Sequence, residues 1–461
     1  MYTSIHFLLL LSTVIIVNYL IPRSYRWILL LVSSCYFYLD WQPIYFFLLL
    51  ITSLITYFSA KLLGRDYKKN TRKIICILGS GLPLGSLIFF KYYGFITNNV
   101  KLFLEFLGIY IEFPAMSLLL PLGISFYTFS AIGYLIDIYN YKYAPEKNFG
   151  LLFLFISFFA QILSGPIPRG NQLIPQLKKP GNLSYDNILG GFRILLWGMF
   201  MKLCVADNLA IYVDNVYSNL NAQNGGSIFL ASTLYTFQIY CDFAGYSFMA
   251  LGCGRMLGIK LMENFRRPYL ARNIKDFWGR WHISLSTWFR DYIYIPLGGN
   301  RVSKKRNRLN LFITFILSGI WHGASWNFIL WGGFHGSGQI VQKSFPGHKI
   351  KLPPYFLVFL TFSFVSLCWV FFRLESLDQI KTFFHKLFFD FGFPAIDAVA
   401  FYGLITLLFV IIKDLKDEYF PQIKLMHSEN FWVSNIFTGL FLGFIVLFGK
   451  FGNGSFIYFN F

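Results

Sequence analysis

The amino-acid sequence predicts an all-α polytopic membrane protein, and both its composition and the recurrence of long apolar runs support that fold class. Of its 461 residues, 56% are hydrophobic, 21% are aromatic and only 13% are charged, whereas a soluble domain carries about a quarter charged residues. So few charges cannot cover a surface that faces water. Most of the 56 phenylalanines and 29 tyrosines must therefore face membrane lipids, at the level of the tails or the headgroups.

Apolar runs close to the length that crosses a bilayer, about 20 residues, recur along the whole chain. We place them at 4–21, 25–41, 43–60, 74–92, 102–113, 117–139, 149–165, 187–203, 226–250, 310–345, 353–373, 396–412 and 431–450. The run 310–345 is long enough for two helices or for one broken helix. The sequence thus predicts roughly 11–13 membrane helices, with re-entrant or interfacial segments where glycine and proline interrupt the pattern.

The net charge of +19 lies in loops between the apolar runs, so it indicates membrane orientation and no nucleic-acid binding. The loops 61–73, 169–179 and 301–308 are basic. Because cytoplasmic loops carry an excess of lysine and arginine, we place all three in the cytoplasm and the N-terminus outside. The first apolar run lacks a basic leader and a cleavage site, so we expect it to be a retained span. We predict a single membrane domain over 1–461, since no repeat or linker divides it.

The sequence carries none of the common templates for a soluble active site. Its six cysteines show neither CxxC spacing nor histidines at metal-ligand intervals, so we interpret them as buried apolar residues and predict no metal site. The GxSxG elbow, the phosphate-binding P-loop and the HExxH motif are also missing. Any chemistry must therefore come from histidine, carboxylate and amide groups at membrane depth.

Two such groups lie in the segment QIYCDFAGYSFMALG, where Gln238 and Asp242 interrupt an otherwise lipophilic run. A polar side chain at membrane depth is costly and is rarely kept without a partner or a task. Both residues are therefore candidates for a supporting role in a site.

The segment 263–301 is too charged to span a bilayer and too aromatic for an ordinary solvated loop. We interpret it as interfacial and partly re-entrant. It contains His282 and the adjacent pair Arg290 and Asp291. These groups belong either to a functional site or to an amphipathic segment whose polar side chains are satisfied by the backbone, and their spacing does not decide between the two.

His322 lies in FILSGIWHGASWNFILWGGFHG, with apolar sequence on both sides. An imidazole, whose ordinary pKa is near neutral, can accept a proton from an alcohol or a thiol, so His322 is the leading candidate for a general base. The alternative is a structural histidine bonded to a neighbouring helix. His335 has the stronger claim to that structural role. The remaining histidines lie near segment ends or in loops, where a solvated side chain is expected: His6, His348, His385 and His427.

Several sequence blocks occur together, and in this order, in one known family: the sequence resembles the membrane-bound O-acyltransferases, and within them the bacterial alginate O-acetylation branch. The matching blocks are PLGISFYTFSAIGYLIDIY (121–139), LSGPIPRGNQLIPQL (163–177), YCDFAGYSFMALG (240–252), NFRRPYLARNIKDFWGRWHISLSTWFRDYIYIPLGGNR (264–301), GIWHGASWNFILWGGFHG (319–336) and GSFIYFNF (454–461). The core of the resemblance covers about 118–345.

The resemblance implies a bundle of membrane helices around a central cavity, with the family's invariant histidine at His322. A second polar position, 40 residues earlier, corresponds to His282; sterol and diacylglycerol acyltransferases carry asparagine or a related polar residue there, which suggests a supporting role. The chain departs from the branch at Phe248, Ser130 and Ser164, where an acid, a larger polar residue and alanine are usual. The missing acid puts any role of that carboxylate in doubt, whereas the histidine blocks are intact.

The resemblance further implies an O-acyltransferase of the bacterial inner membrane. It would take an acetyl group from a cytoplasmic donor, acetyl-CoA, without a bound cofactor, and move it across the membrane to modify a cell-envelope or extracellular polysaccharide. We expect the catalytic domain that meets the polysaccharide acceptor to belong to a partner, a periplasmic or extracellular SGNH-type acetyltransferase. His322 would act either as a general base or as a brief carrier of the acyl group.

The sequence is also compatible with other functions. The membrane protein that transfers D-alanine to teichoic acid shares the WHxSLSxWxRD and WHG blocks, although YIPLGGNR and IGYLIDIY favour the acetylase branch. Long-chain acyl transfer to a lipid or protein is a third possibility. A transporter or channel is the alternative from another class, because Asp242, His282 and His322 would also suit a proton pathway.

Overall fold

The structure of the chain is a computed structural model, and it describes every residue except 1, 115, 117, 118, 183, 345–351, 397, 425, 427, 429 and 453–461. In the described residues all regular secondary structure is helical and no strand occurs. The predicted all-α class is therefore confirmed. His348, His427 and the terminal block 454–461 lie outside the described residues.

The helices are given in chain order, divided at residue 185. Before it lie α1 (Ile5–Leu20), α2 (Arg26–Trp41), α3 (Pro43–Leu63), α4 (Lys69–Phe106), α5 (Ile124–Tyr139), α6 (Phe149–Ser157) and α7 (Gly170–Lys178). From it onward lie α8 (Tyr185–Met199), α9 (Asp207–Ser218), α10 (Gly225–Met256), α11 (Ile274–Arg280), α12 (Ile283–Phe289), α13 (Lys304–His322), α14 (Trp326–Ser344), α15 (Pro354–Arg373), α16 (Leu377–Phe389), α17 (Ala398–Tyr419) and α18 (Phe431–Phe448). Two π-helical segments, Phe200–Ala206 and Arg290–Tyr294, directly follow α8 and α12.

Within the described residues, six helical stretches are long and apolar enough to cross a membrane: Pro43–Leu63, Lys69–Phe106, Tyr185–Ser218, Pro354–Arg373, Ala398–Tyr419 and Phe431–Phe448. The shorter helix α1 is also apolar. The chain is therefore a multi-pass membrane protein, as its composition predicts. The figure of roughly 11–13 membrane helices stays a prediction, because it includes runs shorter or more polar than a full spanning helix.

The prediction of a separate membrane segment at 102–113 is wrong. Helix α4 continues from the preceding span into this run and ends at Phe106. The polar residues between the two runs are satisfied inside the helix, since the Thr97 and Asn99 side chains donate to carbonyls four residues earlier, at 2.9 and 2.8 Å. Such local bonds let a helix continue through polar sequence.

Two other predicted runs are interrupted in the structure. The run 149–165 forms a helix only as far as Ser157, and turns follow it. The run 310–345 contains two helices, α13 and α14, that separate at Gly323, which confirms the two-helix alternative. The segment 263–301 holds the seven-residue helices α11 and α12. They are too short to span a bilayer, and the re-entrant position of this segment stays a prediction.

The chain divides into two compact units. The N-terminal unit consists of Leu9–Ser184 with Leu257–Met262, and the C-terminal unit consists of Met1–Leu8, Tyr185–Met256 and Glu263–Phe461. All the candidate site residues belong to the C-terminal unit. A single functional domain over the whole chain stays a prediction.

In the N-terminal unit, Arg72 ties the ends of three helices together. Its buried guanidinium donates to the carbonyl of Leu63 at the end of α3, and to those of Ile138 and Tyr139 at the end of α5, the latter two at 3.1 and 3.0 Å. Carbonyls at a helix C-terminus lack helical donors and attract a positive charge. This residue of the basic loop 61–73 thus has a structural role.

In the C-terminal unit, α8 and α10 approach each other at two pairs of facing glycines. A Cβ on Gly198 would lie 2.5 Å from the carbonyl oxygen of Gly245, and one on Gly252 would lie 2.6 Å from that of Gly191. The two glycines on each helix are seven residues apart, so they fall on the same face. Small residues of this kind allow close backbone contact between membrane helices.

Helices α13 and α14 form a hairpin whose contact is also made of glycine. A Cβ on Gly319 would lie 2.2 Å from the carbonyl oxygen of Phe328, and one on Gly332 would lie 2.4 Å from that of Phe315. At Gly323, between the helices, a Cβ would lie 2.0 Å from the Phe328 ring. The atoms facing Gly319 and Gly332 are backbone atoms, which cannot rotate away. Larger residues at these two positions would therefore separate the helices.

We expect Gly332→Ala to destabilise the protein by about 1–3 kcal/mol, the usual cost of overpacking, and to lower its melting temperature in detergent. The control is Gly333→Ala on the next residue, where the new Cβ would meet only Ile316 Cδ1, at 3.7 Å. Because alanine favours helix by about 1 kcal/mol over glycine, the control should melt at or above the wild-type temperature. Equal melting temperatures for the two variants would contradict the close packing of α13 on α14.

Candidate active site

His322 is the last residue of α13 and is buried against three aromatic side chains. The rings of Trp321, Trp331 and Phe372 lie nearly edge-on to the imidazole, with centroid separations of 4.8, 4.9 and 5.1 Å. These rings exclude water from much of the imidazole surface. The structure therefore gives His322 the apolar surroundings that its sequence context indicates.

His282 lies immediately before α12, fully buried, in the left-handed backbone region (φ +41°, ψ 54°). This conformation is uncommon for a residue other than glycine and has to be held by its surroundings. Asn264 provides that support, since its carbonyl oxygen accepts from the Ile283 N–H at 3.0 Å and its Oδ1 accepts from the Ser284 N–H at 3.2 Å. The imidazole packs edge-on against Phe243, 4.5 Å away.

The indole of Trp321 contacts both of these histidines. Its ring centroid lies 6.1 Å from that of His282 and 4.8 Å from that of His322. The structure thus brings together the two leading candidates, although they are 40 residues apart in the sequence.

His335 on α14 is fully buried among aromatic rings. The indole N–H of Trp278 donates to its Nδ1 at 3.3 Å, and the rings of Phe277 and Trp331 lie 6.3 and 4.8 Å away. The contact with Trp331, which also touches His322, connects this residue to the site. This packing holds the His335 ring in place, and the role of His335 stays a prediction.

Asp242 forms a buried ion cluster with two residues that sequence reasoning did not single out. Lys202 Nζ lies 2.5 Å from Asp242 Oδ1 and 2.7 Å from Asp207 Oδ1, and all three side chains are buried. The cluster adjoins the site, because Phe243, next to Asp242 on α10, packs on His282. A buried cation with two carboxylates is stable only as a unit, since removing one partner leaves an uncompensated charge.

The glycine contacts explain why these charges meet. Lys202 lies four residues after Gly198, Asp242 lies three residues before Gly245, and these two glycines are in contact. The signal for Lys202 was present in the sequence, since it is one of two charged residues in the apolar run 187–203, and such charges are rarely kept without a partner.

The three remaining candidates differ in burial. Gln238 is buried on α10, and within the described residues its Oε1 accepts no hydrogen bond. Arg290 and Asp291 pair with each other at 2.8 Å, and the Arg290 side chain is 58% exposed. The structure places this pair at the surface, in contrast to the buried histidines, and the roles proposed for all three stay predictions.

The segment that precedes His282 is anchored by Glu418 at the end of α17. Arg267 Nε donates to Glu418 Oε2 at 2.7 Å, and Arg280 Nη1 donates to both carboxylate oxygens at 3.0 Å. Arg280 also donates to Asp276 at 2.8 Å. Because the sequence separation exceeds 130 residues, this anchor could not be inferred from the local pattern around the histidine.

Within the described part of the chain, no three histidine, cysteine, aspartate or glutamate side chains form a group that could hold a metal ion. The six cysteines are free, and five of them are buried, as predicted. The prediction is wrong for Cys35, which is only partly buried. The expectation that the protein needs no metal stays a prediction.

The fold and the site together define a helical, multi-pass membrane protein with a buried pair of histidines. The family model for MBOAT, the membrane-bound O-acyltransferase family, matches residues 148–348, a range that contains both histidines. The chain belongs to the membrane-bound O-acyltransferase family. The resemblance inferred from the sequence blocks is therefore confirmed.

Curated relatives share most of the chain's length. It is 36% identical over 392 residues to a peptidoglycan O-acetyltransferase of Helicobacter pylori, covering 78% of this chain and 73% of that protein. It is also 36% identical over 363 residues to a protein of Azotobacter vinelandii named probable alginate O-acetylase AlgI, with coverage of 78% and 72%. A teichoic acid D-alanyltransferase of Streptococcus thermophilus is 35% identical over 244 residues, 50% of this chain and 58% of that protein. The chain is accordingly an O-acyltransferase.

We expect Lys202→Met to cost about 3–5 kcal/mol, the usual effect of breaking a buried ion cluster, because Asp207 and Asp242 would stay buried without their cation. The readout is the amount of monodisperse protein extracted from membranes. The control is the triple variant Lys202→Met, Asp207→Asn, Asp242→Asn, which has no charge in the cluster and should recover most of the loss. Wild-type abundance of the single variant would show that the cluster is dispensable.

Proposed function

We propose that the protein takes an acetyl group from acetyl-CoA on the cytoplasmic side of the bacterial inner membrane and moves it across for O-acetylation of a cell-envelope or extracellular polysaccharide. The observation that carries the proposal is the burial of His322 and His282 against one shared indole. Two relatives named for O-acetylation of peptidoglycan and alginate support the choice of acetyl group and of polysaccharide.

An anionic donor fits the charge of the chain. The net charge is +19, and the basic loops that we assign to the cytoplasm by the positive-inside rule would attract the phosphates of acetyl-CoA. The protein then needs no bound cofactor, because the donor brings the activated acyl group as a thioester.

The reaction requires a base and a dry site. In our proposal His322 accepts the proton of the acceptor hydroxyl while its oxygen bonds to the thioester carbonyl carbon. The carbon–sulfur bond then breaks, and the leaving thiolate takes the proton back from the imidazolium. The aromatic rings around His322 limit hydrolysis of the thioester by water. His282, held in place by Asn264, orients or polarises the reacting groups.

In our proposal, the polysaccharide that finally receives the acetyl group lies on the outer side of the membrane. We propose a separate periplasmic or extracellular SGNH-type acetyltransferase as the partner that passes the group to the polysaccharide. The similarity to a teichoic acid D-alanyltransferase supports a second candidate, D-alanyl transfer from a carrier protein. Incubating membranes with labelled acetyl-CoA or with a labelled D-alanyl carrier separates the two.

We expect His322→Ala to abolish acetylation, since general-base catalysis and positioning are lost together; the base alone contributes about 10²–10⁴-fold. The measurement is the alkali-labile acetate in extracellular polysaccharide from cells with equal membrane levels of each variant. The matched control is His385→Ala, which removes an exposed histidine of α16. An unchanged amount of acetate in the His322→Ala variant would contradict the catalytic role of His322.

Replacing His282 removes the imidazole and also changes how well the residue tolerates the left-handed backbone at this position. Asparagine tolerates the left-handed region better than alanine, so His282→Asn should be more abundant in membranes than His282→Ala. Both should reduce acetylation per folded molecule, by no more than His322→Ala does. If His282→Asn retained the full rate, the imidazole would have a packing role only.

A further inference from the structure

Three buried N–H groups near His322 have no hydrogen-bond acceptor within the described residues. They are Trp331 Nε1, Trp369 Nε1 and His335 Nε2, and each of the three side chains is 0% exposed. We refer to these three residues as the donor cluster.

The protonation of His335 follows from its other nitrogen. Trp278 donates its indole N–H to His335 Nδ1 at 3.3 Å, and this bond requires a lone pair on Nδ1. In a neutral imidazole one nitrogen accepts and the other carries the hydrogen. His335 Nε2 is therefore a donor, and Trp278 fixes it in that state.

The donor cluster is compact and adjoins the candidate base. The centroid of Trp331 lies 4.8 Å from that of His335 and 5.9 Å from that of Trp369, and His335 and Trp369 are 6.3 Å apart. Trp331 lies 4.9 Å from His322. Phe372 also touches His322, Trp331 and Trp369, at 5.1, 5.6 and 5.3 Å. All these rings thus belong to one contact group.

Three unsatisfied donors on rings that lie within 6.3 Å of one another are unusual. Leaving a buried N–H without an acceptor costs about 1–3 kcal/mol, and more than nine in ten buried polar groups have a partner. Contact of an N–H with an aromatic face compensates only weakly. Such a cluster is expected where a ligand supplies the missing acceptor.

We propose that the donor cluster binds the carbonyl oxygen of the acyl thioester and holds that carbonyl beside His322. This inference rests on the proposed acyl transfer. When the acceptor oxygen attacks the carbonyl carbon and His322 takes its proton, the carbonyl electron pair moves onto the oxygen. The cluster stabilises that negative charge in an environment without water. As the carbonyl re-forms, the carbon–sulfur bond breaks and the thiolate takes the proton from His322.

The test replaces each indole by a ring that has no N–H. For Trp331→Phe and Trp369→Phe we expect kcat to fall about 100-fold or more, the usual effect of removing one donor to a developing oxyanion, with a much smaller change in KM. Trp197→Phe is the control, since that indole packs on Phe200 and Phe441. His335→Gln, which keeps an N–H donor, should retain more activity than His335→Phe.

A second readout detects recognition of the carbonyl independently of turnover and of small losses in stability. S-ethyl-CoA is identical to acetyl-CoA except that a methylene group replaces the carbonyl. We expect wild-type protein to bind acetyl-CoA more tightly than S-ethyl-CoA, and Trp331→Phe and Trp369→Phe to lose that preference.

The outcomes distinguish a failure of the donor-cluster inference from a failure of the proposed function. If the wild-type protein transfers acetyl groups while both tryptophan variants keep wild-type kcat and the same ligand preference, the donor cluster has no role and only this inference fails. If the wild-type protein transfers no acetyl group, the proposed function fails and this inference fails with it.

Discussion

The close approach of α13 and α14 is the constraint on which the histidine site depends. The hairpin places His322 at the end of one helix and Trp331 on the other, and the two rings touch. Gly319 and Gly332 allow this because their missing side chains leave room for the backbone of the partner helix. In a membrane, where lipid is as apolar as the protein interior, such close van der Waals contact is a main source of helix association.

Close packing at glycines also brings charged side chains together, between the helices α8 and α10. The glycine faces of α8 and α10 bring Lys202 to Asp242 and Asp207 within the protein interior. Each of these ions would be costly alone at membrane depth. Close packing therefore does two things in the C-terminal unit: it places the aromatic rings around the imidazoles and it makes an internal ion cluster possible.

The amino-acid sequence predicts the parts of this fold that depend on local pattern. Apolar length gives the class and most helix positions, and the cost of buried polar groups points to His322. The sequence does not show that α4 runs past Thr97 and Asn99, because their bonds to the preceding turn are a detail of side-chain geometry. It also gives no sign of the Glu418 anchor, which joins segments far apart in the chain.

Burial of an imidazole can thus be predicted from sequence, whereas its neighbours cannot. The position of His282 depends on a left-handed backbone held by Asn264, and its contact with Trp321 crosses between two segments. Family resemblance pairs the two histidines by their blocks. Only the three-dimensional structure shows that one indole lies in contact with both.

The aromatic composition of the site has an optical consequence. Five of the eleven tryptophans lie in the contact group around the three buried histidines: Trp278, Trp281, Trp321, Trp331 and Trp369. Indole emission depends on the polarity of its surroundings. Nearly half of the indoles of this protein thus lie in the site, so a change of polarity there would alter light that the protein emits without any label.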